Sequence, residues 1–354
     1  MKKVLTILLA VFMIFGLTAC GGGTDTPAED VKETVKIGVT IYKFDDTFMT
    51  GYRNLMANYV DILNEEAGYE KYIMDIMDGK NDQAEQTNQI DNFITQGYDV
   101  LIINLVQSSG AATIIDKCAE AGIPAVFINR EPSAEDMKLH SDDDYAGKFC
   151  YVGADAKESG RMQGEIIAAL PDKGDLNGDG VLQYIMLVGD PENVDAQYRT
   201  QYSIEQYIAS SGLTVECLHE EVGNWDLPRG NEIAAAALAQ YGDKIEVVFA
   251  NNDDMGAGAL QAIQEAGRKV GEDIYLVAVD ANDYAIEDVI EGTFTGTVLN
   301  DGIGQAHTAV EKAIEVAEGG KFTQTNFTVS YAPVTAANAE EIKAYKAKYP
   351  STRG

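Results

Sequence analysis

Cysteine, histidine and basic side chains are all scarce in this 354-residue chain, and each scarcity excludes something. Besides Cys20 there are only Cys118, Cys150 and Cys217, with no CxxC and no metal-type spacing. Cys118 and Cys217 lie in apolar-patterned segments and Cys150 in a strand-like run, so all three are expected as small buried thiols. His140, His219 and His307 are scattered and offer little to a histidine metal site or a histidine-based triad. There is no GxSxG, no HExxH and no cofactor fingerprint. Against 57 Asp and Glu stand 26 Lys and Arg, a net charge of −31. Such a surface repels nucleic acid and anionic lipid, and suits a neutral or cationic ligand and divalent metal.

The first twenty residues are a targeting segment. Lys2 and Lys3 precede an almost wholly apolar run from Val4 to Phe15, too short for a comfortable membrane span and shaped like a secretory signal. Its ending, Leu17-Thr18-Ala19-Cys20, resembles the lipobox of bacterial lipoproteins, which implies a lipidated Cys20 as the mature N-terminus. Gly21 to Val35 is small, polar and acidic without periodicity, as a flexible tether would be. The expectation is an extracytoplasmic protein held to the cell membrane by its lipid alone. Cleavage removes Lys2 and Lys3, leaving 24 basic against 57 acidic residues and a net charge of −33. The remaining roughly 320 residues exceed what one core usually serves, which predicts two domains.

Lys36 to Tyr42 is β-branched and apolar enough for a strand, and Asp45 or Asp46 then caps a helix whose stripe is Phe48, Tyr52, Leu55, Tyr59 and Ile62. The same strand-then-helix alternation recurs. Strands are expected at 71–76, 100–105, 124–129 and 149–152, with helices at 82–95, 109–121 and 157–169. It restarts at 182–188 and continues through 214–218, 245–249, 274–279 and 296–299. Repeated βα units imply an α/β fold of parallel sheets covered on both faces, and two rounds of similar length imply two similar lobes.

Ligands of open α/β sheets bind beyond the carboxyl ends of strands, and polar residues stand at those ends. Asn129 ends VFIN, Asn251 and Asn252 end VVFA, Asp280 ends YLVAV and Asn300 ends GTVL. Each taken alone is better explained as a helix cap. Together, and joined by Asp46, Asp195, Arg199 and Trp225, they mark the rim of a cleft between facing lobes.

At these residues the chain resembles the bacterial galactose/glucose-binding proteins, type I periplasmic-type solute-binding proteins of ABC sugar importers. IGVTIYKFDDTFM, FINREP, YVGADAKESG, DLNGDGVLQY, DAQYRT, KIEVVFANND and GTVLND carry the likeness, in family order, from about Lys36 to the C-terminus. It implies a doubly wound fold with lobes at 36–153 plus 300–330 and at 154–299 plus 331–354. Three hinge crossings would join them, near Val152–Ala154, Leu299–Asp301 and Ser330–Pro333. It implies a monosaccharide between the rings of Phe48 and Trp225, hydrogen-bonded by Asp46, Asn129, Asn193, Asp195, Arg199, Asn252, Asp280 and Asn300. Aromatic faces bury the apolar C–H faces of a pyranose, while carboxylates, amides and a guanidinium satisfy its polar equator. Asn193 stands where the family usually has histidine, so D-galactose and D-glucose are left unranked.

Asp175, Asn177, Asp179 and Gln183 occupy positions one, three, five and nine of a loop with Gly180 at six, the spacing of an EF-hand-type site in which Val181 adds its backbone carbonyl. Met186 stands at twelve, and the resemblance supplies Glu246 as the remote carboxylate for a structural Ca²⁺. The implied partners are an ABC permease, a chemoreceptor among the alternatives, and no nucleic acid, with the protein a monomer. Ribose is the nearest other sugar. A carbohydrate enzyme using Asp46 and Asp280 as acid and base, and a sugar-responsive repressor, are the rivals of other classes. The export signal, the acidic surface and the absence of an N-terminal DNA-binding helix pair speak against the repressor.

Overall fold

The computed structural model describes residues 34–350, so the signal segment, Cys20 and nearly all of the expected tether lie outside the described residues. In chain order the elements are β1 (Val35–Ile41), α1 (Thr47–Ala67), β2 (Tyr72–Asp78), α2 (Gln83–Thr95), β3 (Val100–Ile103), α3 (Ala111–Ala121), β4 (Ala125–Ile128), β5 (Phe149–Gly153) and α4 (Ala156–Ala168). There follow β6 (Val181–Val188), α5 (Val194–Ser211), β7 (Thr214–Val222), α6 (Leu227–Tyr241), β8 (Val247–Ala250), α7 (Asp253–Glu265), β9 (Tyr275–Val277) and α8 (Asp283–Glu291). The last are β10 (Thr297–Leu299), α9 (Gly302–Ala317), β11 (Asn326–Thr328), β12 (Ala332–Val334) and α10 (Ala339–Lys346). Val35 therefore opens β1 rather than ending a tether.

Two parallel sheets result. The first has the order β11-β5-β4-β3-β1-β2, the second β7-β6-β8-β9. Bridges Val277↔Gly296 and Asp280↔Leu299 carry the second sheet on to an antiparallel β10–β12 pair. Strands inside each sheet, such as VLII in β3 and VVFA in β8, are buried on both faces, as continuous β-branched runs require. In the first lobe α1 and α9 cover one face and α2 and α3 the other; in the second, α6, α7 and α8 face α4 and α5 across the sheet. The chain passes between the lobes after β5, between β10 and α9, and between β11 and β12.

Two expectations fail locally. Cys217 is exposed, while Cys118 and Cys150 are buried: β7 is an edge strand covered only in part, so its apolar residues do not mark a core. Along α1 the buried residues are Met49, Tyr52, Leu55, Met56, Ala57 and Val60, whereas Ile62 is 46% exposed.

Candidate functional site

Helix starts organise the site. Asp46 is the N-cap of α1: Oδ1 accepts from Met49 N at 2.7 Å and Oδ2 from Tyr42 Oη at 2.6 Å. Asn193 caps α5 by accepting from Asp195 N. Asn252 caps α7, its Oδ1 accepting from Met255 N and its Nδ2 donating to the Trp225 carbonyl at 3.2 Å. A cap residue sits at the carboxyl end of its strand with its side chain turned to the helix, which is also the rim of the cleft. Several rim residues hold left-handed backbone: Asn129 at φ 60°, Trp225 at φ 67° and Asp280 at φ 123°. Non-glycine residues are seldom found there, and such strain collects at ligand sites.

All ten residues expected around a sugar line one cavity: Asp46, Phe48, Asn129, Asn193, Asp195, Arg199, Trp225, Asn252, Asp280 and Asn300. It encloses about 350 Å³ of empty space counted to its mouth. Tyr42, Met49 and Arg130 line it as well and were not foreseen. FINREP contains Arg130, and an arginine directly after a rim asparagine was the available signal. Trp225 is buried against Gly189, where a Cβ would lie 2.1 Å from the indole, so only glycine lets the ring seat there.

Two guanidinium groups dominate the electrostatics. Arg199, 3% exposed, donates to the Asn251 carbonyl at 2.7 Å and to Tyr331 Oη at 3.3 Å. It stands 3.6 Å from Asp195 and 3.7 Å from Asp280, and its Cζ lies 5.7 Å from the Trp225 ring centre. Arg130, 1% exposed, donates to the Val106 carbonyl, pairs with Asp190 across the lobes at 3.0 Å and lies 4.1 Å over the Tyr42 ring. Among the described residues both Nε atoms are buried without a partner. Burial pushes the Asp195 carboxyl up to about 6 and that of Asp280 up to about 7, against the opposing pull of Arg199. Asn300 donates to Asp280 Oδ1 at 3.4 Å and accepts from Gln305. The ensemble offers a small, polar, aromatic-edged cavity with spare donors and acceptors, suited to many neutral hydroxyls.

The acidic loop forms a separate cluster at the start of β6. Gly180 takes φ +85°, and Asp175 accepts from Gly178 N, Asp179 N and Gly180 N, which wraps the loop around its first carboxylate. Buried Glu246 fastens the loop from outside, Oε1 accepting from Asn177 N at 2.9 Å and Oε2 from Gln183 N at 3.0 Å. Asn177 and Gln183 hydrogen-bond each other, and Gln183 donates to Asp179 Oδ2. Among the described residues no group of three or more His, Cys, Asp or Glu is placed to hold a metal ion by itself. A metal here would therefore draw on the amide and carbonyl oxygens too. Those are hard oxygen donors of the kind calcium takes; Asp175 Oδ1 accepts two N–H bonds, but Asp175 Oδ2 and both Asp179 oxygens accept one each and keep a lone pair.

Residues 37–321 match the model of the periplasmic binding protein domain. The D-galactose/methyl-galactoside binding periplasmic protein MglB of Haemophilus influenzae is 36% identical over 329 residues, 92% of each chain. The ribose import binding protein RbsB of Bacillus subtilis is 25% identical over 92% of this chain and 96% of its own. An ABC transporter solute binding protein from Bacillus halodurans, solved with bound myo-inositol, superposes at a TM-score of 0.73 and 27% identity, over 88% of this chain and 98% of that one. The chain belongs to the periplasmic binding protein domain family, whose members bind solutes and are not enzymes.

Proposed function

We propose that the protein is the extracytoplasmic solute-binding component of an ABC sugar importer, capturing D-galactose or D-glucose between its lobes and presenting it to a permease. The observation that carries this reading is one small cavity lined by three aromatic side chains, three carboxylates, four asparagines and two arginines whose Nε donors are unpartnered among the described residues. Buried donors without partners each cost about 1–3 kcal/mol, which a hydroxyl of the right position would recover. The galactose-binding relative supports the sugar class. Asn193, an amide where the resembling family carries an imidazole, together with Arg130, favours a second reading in which ribose or an inositol is the ligand.

We propose further that the loop of Asp175, Asn177, Asp179, Val181 and Gln183, closed by Glu246, holds a structural Ca²⁺, and that Cys20 carries the lipid anchor. Calcium would supply fixed charge at the loop and no chemistry at the sugar.

Trp225 is the sole tryptophan, so its fluorescence reports the cavity directly. Titration of the mature domain with galactose, glucose, ribose, arabinose and myo-inositol is expected to give a saturable change with galactose or glucose at micromolar levels, about −8 kcal/mol. Saturation with ribose or inositol alone would install the second reading. No response to any of them would overturn the sugar assignment.

A further inference from the structure

The segment after β12 holds on to both lobes. On the second lobe α10 lies against α8, with Ala339 in that lobe's core and Ile342 packed on it. Lys343 Nζ pairs with Glu287 at 2.6 Å; Lys346 Nζ pairs with Asp283 at 2.8 Å and donates to the Ala281 carbonyl at 2.6 Å. From Tyr345 onward the contacts pass to the first lobe. Tyr345 packs against its core, and its Oη donates to Asp301, the N-cap of α9. Tyr349 meets the His307 ring at a steep angle, 5.5 Å between centres, and His307 stacks on Tyr59 at 4.0 Å. Asn58 Nδ2 donates to the Pro350 carbonyl at 2.9 Å.

Beside this segment the lobes leave a gap. Leu55 of α1 and Ile303 of α9 share with Ile286 of α8 a cavity of about 790 Å³ counted to its mouth, and Tyr349 and Pro350 line it too. The two holds differ in strength. A buried alanine and three charge-assisted bonds fasten α10 to the second lobe, whereas Tyr349 is 41% exposed and has beside it one exposed hydrogen bond. Tyr345 holds Asp301 at a crossing, where a hinge rotation moves least.

We propose that residues 345–350 are a strap that fastens the lobes in the closed arrangement and releases α1 and α9 when they part. The starts of α1 and α8 both border the cleft, so opening it carries them away from each other and lengthens the span the strap covers. One hold must then break, and the weaker one is on the first lobe. The strap stabilises the closed form whatever solute the cleft takes, and slows that solute's escape. The sugar reading above supplies only the probe.

The double variant Asn58→Ala/Tyr349→Ala removes the first-lobe hold at two residues outside the sugar cavity. Trp225 fluorescence reads affinity and, on displacement, the dissociation rate. The sugar that binds the wild type is expected to bind the variant about fivefold more weakly, the size of one aromatic contact and one hydrogen bond, with the loss in the dissociation rate. Without sugar, small-angle scattering should give the variant a larger radius of gyration than the wild type, a readout that no choice of solute affects. Affinities within about twofold together with equal radii would overturn the strap. Tighter binding by the variant would overturn it too, making the segment a brace of the open form. If no sugar binds the wild type, the sugar reading falls and the radii alone decide: a larger variant upholds the strap, equal sizes overturn it.

Discussion

Burial holds the carboxyls of Asp195 and Asp280 up to about 6 and about 7, where an unfolded aspartate titrates near 4. Arg199 pulls both down; Glu131 and Asp155 push Asp195 up, and Asp46 and Asp254 push Asp280 up. A carboxyl raised by folding keeps its proton in the native state through a window where the unfolded chain has lost it. Their contribution to the fold is therefore fully present only below about pH 4 and is lost as pH rises through about 6 and about 7, each pKa unit being worth about 1.4 kcal/mol. Sugar hydroxyls donating to the same oxygens would favour the ionised forms. Binding near pH 6.5 is thus expected to release protons, and affinity to rise between pH 5.5 and 7.5. Calorimetry in buffers of different ionisation enthalpy reads the proton count; identical heats in all of them would contradict the assignment of these carboxylates as hydroxyl acceptors.

At the scale of elements, the choice between capping and ligand contact posed by the sequence dissolves, because Asp46, Asn193 and Asn252 cap helices from positions that also line the cavity. Strands and helices were legible to within a few residues, since β-branched runs and helical stripes are local properties. The rim was legible because a polar residue ending an apolar strand has few places to be. Tyr42 and Arg130 were not: their roles come from a stack on each other and an ion pair with Asp190, which join parts of the chain far apart in sequence. Cys217 misled because edge position is a property of the sheet order, not of the strand. Of the loop elements, the acidic turn before β6 makes the sharpest prediction. Calcium at a hundredfold excess over its dissociation constant would stabilise the protein by about 2.7 kcal/mol, visible as a raised melting temperature reversed by chelator. Glu246→Gln should abolish that calcium-dependent shift, whatever it does to the calcium-free midpoint. An equal shift in the variant would remove Glu246 from the ligand set, and no shift in the wild type would remove the calcium.

The whole molecule is two lobes that touch through few polar contacts, of which Arg130 to Asp190 is the most buried ion pair. In an opened form both groups would meet water; in the closed one a lone Arg130 would be desolvated. Asp190→Asn is therefore expected to leave folding nearly unchanged and weaken sugar binding by about tenfold or more, equivalent to the 1–3 kcal/mol of an unpaired buried group. Small-angle scattering should show the wild type contracting on sugar addition, with the variant needing more sugar for the same contraction. Equal affinity in the two proteins would exclude the ion pair as a clasp. The three crossings carry one further consequence, for assembly rather than for motion. The first sheet takes its outer strand, Asn326–Thr328, and one covering helix, Gly302–Ala317, from the far end of the chain. Its core therefore stays open until nearly the whole polypeptide is present. The N-terminal half has no finished domain to offer, so the lobe that is first in sequence is among the last things to become complete.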